Sequence, residues 1–178
     1  MAHIPSHFLM ARKIISCFSP DKINQDQSLQ KALYYLNQAL AKGFDPTDMN
    51  YLLFNELIQK EGLPRSTVYP FLKKLVLHPR FIHKNDANHW PTLTTMSYLA
   101  GASYWFDKEL FKEKSTDKNL QTLLDIGCIL IQKGFQFPDL KCIQNPEIVH
   151  YMHTYIQKVS EQQKAYPLLK QHKNIQHS

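Results

Sequence analysis

Apolar residues recur along most of this chain at spacings of three and four, the period of a helix with one buried face. The clearest run is SLQKALYYLNQALAKGFDP (28–46). There Leu29, Leu33, Leu36 and Leu40 share a face, Gly43 marks the stop and Pro46 follows it. Residues 1–19 predict an amphipathic helix, with Phe8, Leu9, Arg12, Ile15 and Phe18 near helical spacing. DPTD (45–48) supplies a turn and an N-cap for a helix ending at Gly62, and Ser66 or Thr67 caps another that runs to His78 and stops at Pro79. After a polar loop (81–91), Thr92 opens a further helix. Asp117 opens NLQTLLDIGCILIQKG, which stops at Gly134, and a last helix spans 145–164 with Pro146 in its first turn. YPLLKQHKNIQHS predicts a frayed tail. Period-two alternation is thin throughout, so the predicted class is all-α.

Three helix ends resemble one another. ALAKGFDPTD (39–48) matches ILIQKGFQFPD (129–139), and LVLHPRFIHKND (75–86) is a degenerate third copy. In each, an apolar helix ends, a Phe follows and a polar turn leads on. Phe44 and Phe81 lie 37 residues apart, and Phe81 and Phe135 lie 54 apart, one repeat plus an insertion. A stack of helix pairs, each burying a face on the next, accounts for such a pattern. The expected organisation is an N-terminal helix and linker (1–27), a helical-repeat domain (28–165) and a C-terminal tail (166–178).

FLKKLVLHPRFIHKNDANHWPTLTTMSYLAGAS (71–103) resembles a degenerate ankyrin repeat. Leu72, Leu75 and Val76 resemble the leucines of an outer helix. Asn85 to Asn88 resemble the hairpin turn, Trp90 to Leu93 the start of the next inner helix, and Ala100-Gly101 its small closing residues. Residues 36–43 and 130–134 look like outer-helix ends. Departures are that Pro91 and Thr92 stand in swapped order, that no T-P-L-H occurs, and that 104–118 exceeds one repeat. The resemblance implies a short helical-repeat fold with an additional N-terminal helix. It implies protein–protein binding without catalysis, with no catalytic residue and no cofactor. Similar small proteins with divergent repeats occur in host-associated bacteria as secreted effectors or adaptors. On that basis the expected location is the cytoplasm, with translocation into a host cell.

Charge modifies this picture little. The chain carries +6, from 21 basic and 15 acidic residues, but only Arg12, Arg65 and Arg80 are arginines. Arginine is the side chain best suited to bidentate phosphate and base contacts, so the lysines read as a solvated surface. No apolar stretch of about 18 residues is present, and no membrane span is expected. The alternative partner is nucleic acid. NELIQKEGLPRSTVYPFLKKLVLHPRFIHKND (55–86) resembles a winged helix-turn-helix with a recognition helix over about 66–78. Arg65, Ser66, Thr67 and Tyr69 would then face the major groove, and Lys73 and Lys74 would touch phosphate. Pro70 inside that helix, and a following segment that does not alternate like a wing, count against it.

Candidate chemistry is sparse. Cys17, Cys128 and Cys142 form no CxxC pair. Cys128 sits in the apolar run DIGCILI and reads as core, while Cys17 and Cys142 read as more exposed. His150 and His153, one turn apart near Cys142 and Glu147, and the loop histidines His78, His83 and His89 are weak metal candidates; no metal is expected at either. No nucleotide loop or hydrolase motif is present. The aromatic run of Tyr98, Tyr104, Trp105, Phe106 and Phe111 sits where the repeat breaks. Trp90, Tyr104, Trp105 and Phe106 are the predicted partner-binding residues.

Overall fold

The structure, a computed structural model, describes residues 6–18, 25–60, 63–83, 96, 99–100 and 118–165. Among these residues all regular structure is helical. Six α-helices follow in order: α1 (Ser6–Ile15), α2 (Gln25–Ala41), α3 (Pro46–Gln59), α4 (Arg65–Leu77), α5 (Lys118–Gln132) and α6 (Pro146–Ala165). A short 3-10 turn, Leu140–Cys142, precedes α6. Met96, Leu99 and Ala100 are also helical and buried.

α4 is the central element. It packs on α2, α3 and α5, while α1 packs on α2 and α3, and α6 packs on α5. Burial along each helix follows from that position. α4 buries Thr67, Val68, Tyr69, Phe71, Leu72, Leu75 and Val76, more than one stripe, because it has neighbours on several sides. α6 buries only Met152, Tyr155 and Val159, a single stripe at spacings of three and four. On α2, Leu36 and Leu40 are buried, and Leu29 and Leu33 are packed at the core's edge. Ala32 and Ala39 are fully buried, so the backbone of α2 can come close to its neighbours.

The N-terminal segment is part of the same core. α1 turns Ala11 and Ile14 inward, and just beyond it the buried Phe18 ring meets Phe71 edge-on at 5.4 Å. This corrects the face predicted from the sequence: Leu9 and Arg12 are exposed and Ile15 is only partly buried. Two helix starts also differ from expectation. Asp45 does cap α3, accepting from the Thr47 N–H at 2.8 Å. α4, however, begins at Arg65 after Pro64, with no side-chain cap, so Ser66 and Thr67 lie within its first turn. Pro70 sits inside α4 and has no N–H to give to the carbonyl four residues back. The helix continues because its apolar faces are held by three neighbours.

Candidate functional site

The sequence places a glycine and then a phenylalanine at the ends of α2 and α5, and both ends close in the same way. Gly43 and Gly134 have φ of 91° and 95°, the left-handed conformation that other residues reach only at a cost. At α2 the Gly43 N–H donates to the Leu40 carbonyl at 3.1 Å and the Phe44 N–H to Ala39 at 3.0 Å. At α5 the Gly134 N–H donates to Ile131 and the Phe135 N–H to Leu130, both at 3.0 Å. These paired bonds form the Schellman closure.

The end of α4 has no glycine. There Pro79 stops the helix, and the Phe81 N–H turns back to the His78 carbonyl at 2.9 Å. The Arg80 N–H donates to His78 Nδ1 at 3.1 Å, as it would to an aspartate or asparagine in an Asx turn. Burial, then Arg80 and Lys133, push the His78 imidazole below its usual range.

These three ends touch in sequence order. The Arg80 guanidinium donates to the carbonyls of Leu40 (2.8 Å) and Phe44 (3.0 Å), on the end of α2. The Lys133 ammonium donates to the carbonyls of His78 (2.9 Å) and Phe81 (2.7 Å), on the end of α4. Thr47, fully buried, accepts from the Ile82 N–H at 3.1 Å and donates to the Ile82 carbonyl at 3.2 Å. Phe81 and Phe135 are buried and stack at 5.7 Å, and His83 meets Phe135 edge-on at 5.2 Å. The C-terminal ends of α2, α4 and α5 therefore lie side by side. Helix carbonyl ends carry partial negative charge, which favours a cation from the neighbouring loop.

A second polar group joins α4, α5 and α6. Asp125 takes Lys73 at 3.0 Å, Gln121 at 2.9 Å and Gln162 at 2.7 Å. Beside it, the fully buried Tyr155 donates its hydroxyl to the Leu123 carbonyl at 2.7 Å. Burial raises that phenol well above its usual range.

The predicted site residues fare unequally. Trp90, Tyr104, Trp105 and Phe106, with Tyr98 and Phe111, lie outside the described residues. Of the proposed recognition residues, Thr67 and Tyr69 are buried, 3% and 2% exposed, which corrects the expectation that they face a groove. The physical cause is the central position of α4. Lys73 is held by Asp125, whereas Ser66 and Lys74 are exposed. Cys128 is buried, as its apolar run implied, and burial pushes its thiol up to about 11. Cys17 is also raised by burial; neither thiol is primed as a nucleophile. Cys142, the most exposed of the three thiols, lies in the 3-10 turn. His150 and His153 point outward, and among the described residues no three metal-ligating side chains converge.

Arg80, Lys133 and Thr47 were not singled out by sequence reasoning. The available signal was a basic residue immediately before or one residue short of each Phe: Lys42, Arg80 and Lys133. No described helix is long and apolar enough to cross a membrane. No protein-family model matches the chain, no curated protein is significantly similar to it, and no solved structure matches its fold significantly.

Proposed function

We propose that this chain is a short stack of ankyrin-like helix pairs that acts as a protein-binding module without catalysis. The interlocked loops carry this reading. Arg80 reaches back to the end of α2, and Lys133 reaches back to the end of α4. Each unit thus completes the one before it, the dependence on neighbours that defines a solenoid. On this reading α1 and α2 form the first pair, α3 and α4 the second, and α2, α4 and α5 are the outer helices. The winged-helix alternative requires an exposed reading face on the helix over 66–78, and the burial of Thr67 and Tyr69 removes half of it.

The test is affinity capture of the tagged chain from a cell lysate, with and without nuclease. A stoichiometric protein that survives nuclease is the expected result. Nucleic acid retained only in the untreated sample, with nothing left after nuclease, would overturn the reading in favour of DNA binding.

A further inference from the structure

The outward faces of α1 and α2 combine three cations with apolar side chains held in place. On α1, Leu9, Arg12 and Lys13 share one face and all are exposed, Leu9 by 50%. On α2, Tyr34 is 58% exposed and Lys31 lies one turn before it. The helices meet antiparallel. Lys13 places its ammonium 4.5 Å from the Tyr35 ring centre. Lys13 and Lys31 both lie near enough to Cys17 to act on its thiol. Tyr34 is oriented by its neighbours: its ring lies 5.7 Å from Tyr35, and its hydroxyl accepts from Gln38 at 2.6 Å.

Among the described residues of α1 and α2, the charge on this face is one-sided. α1 contains no acid, and the one acid of α2, Asp26, stands in its first turn. Five residues from Lys31, Asp26 lies about 140° around the helix from it. Among the described residues none of Arg12, Lys13 and Lys31 is ion-paired. Gathering unpaired like charges on two packed helices carries a Coulombic cost, which an anionic partner would relieve.

Resting on the protein-binding reading above, we propose that this face docks an acidic segment of a protein partner. Its carboxylates meet Arg12, Lys13 and Lys31, and an apolar side chain packs on Leu9 and Tyr34. Other occupants fit less well. A second copy would set the same three cations against themselves in a two-fold contact. A membrane-surface helix puts its apolar face into lipid, but the apolar face of α1 is already buried in the core. Nucleic-acid readers draw mainly on arginine, and this face has one.

The test uses the full chain and a fluorescein-labelled dodecapeptide of Glu and Asp carrying two Leu, read by anisotropy in 50 mM NaCl. Its twin, with Gln and Asn for the acids, is the control. Binding is expected for the acidic peptide alone. It should weaken about tenfold in Lys13→Glu/Lys31→Glu, as two surface ion pairs reversed in sign imply. It should also weaken in Tyr34→Ala, and stay unchanged in Lys118→Glu/Lys141→Glu, which reverses two exposed lysines elsewhere. Thermal melts of each variant, and the milder Lys13→Gln/Lys31→Gln, separate lost binding from lost fold. Absence of binding by the parent chain, equal binding of the neutral twin, or equal loss in both charge-reversed variants overturns the proposal. So does binding only to phosphatidylserine vesicles, which would make the face a membrane contact. A partner captured from lysate alongside failure of the peptide sinks this face but leaves the protein-binding reading. Peptide binding here with no captured partner does the reverse.

Discussion

The loop row across α2, α4 and α5 and the joint between α5 and α6 hold helices together by different means. The loop row is polar and partly open to solvent. Its polar links are cations on carbonyls and one buried hydroxyl joining two loops, beside the stacked rings of Phe81 and Phe135. The α5–α6 joint depends on shape. Gly127 leaves room for Tyr155, whose hydroxyl reaches the Leu123 carbonyl, and the Cys128 thiol meets the Val159 carbonyl at 3.7 Å. Hydrogen bonds between loops set register, and each link can be lost with limited damage. A close contact sets distance, and an added atom has nowhere to go.

The contrast is sharpest at Gly127. A Cβ there would lie 2.6 Å from the Tyr155 hydroxyl oxygen and 2.8 Å from Val159 Cγ2. Gly127→Ala should therefore cost about 3 kcal/mol in urea unfolding, the upper range for overpacking a dense core. Tyr155→Phe removes the nearest atom, so the double variant should recover part of that loss. A Gly127→Ala protein as stable as the parent would show that the joint is not closely packed.

In the loop row, Lys133→Met should cost about 2 kcal/mol, because it strips charged donors from two partly buried carbonyls. Lys133→Arg should retain most of the stability. If Met and Arg behave alike, Lys133 holds its place by its alkyl chain alone and the loops do not interlock as described.

Gly43 and Gly134 probe backbone strain without packing. A Cβ at Gly43 meets nothing within 4 Å, and at Gly134 the nearest atom is His83 Cβ at 3.8 Å. Gly43→Ala and Gly134→Ala should thus cost nearly equal amounts, about 1–2 kcal/mol each, the left-handed penalty for an L-residue. A much larger loss at either would place an unseen contact there.

Residue pattern made the helices and two of their endings legible. Periodicity located α2, α3, α5 and α6, and Lys-Gly-Phe marked both left-handed stops because glycine is the residue that conformation requires. The inward face of α1 differs from the one its spacing predicts, because its sequence offers apolar residues on both sides and only the partners α2 and α3 decide between them. Gly127 gave no warning: inside a helix it looks like a weak position, and its purpose is visible only against Tyr155. The α1–α2 face was equally hidden. Lys13 and Tyr35 are far apart in sequence and come together only when the helices pair. The predicted aromatic binding residues Trp90, Tyr104, Trp105 and Phe106 rested on a break in a repeat, a signal about length rather than about contact.

The smallest expected effect isolates one link of the loop row by pH. His78 Nδ1 must be unprotonated to accept the Arg80 N–H, and Arg80 and Lys133 already crowd it with positive charge. Its folded-state pKa is lowered, so above the unfolded value of about 6.5 both states are neutral and its contribution is fully present. As pH falls below that value, the unfolded chain takes the proton first, and stability declines until the folded imidazole also titrates. His78→Asn keeps an acceptor for the same N–H at every pH. Urea midpoints between pH 7.5 and 5 should therefore fall less steeply for the variant, and the difference between the curves excludes the other histidines. Parallel curves would mean that the turn at α4 does not depend on the neutral ring, and that Arg80, Lys133 and Thr47 hold it against its neighbours without that bond.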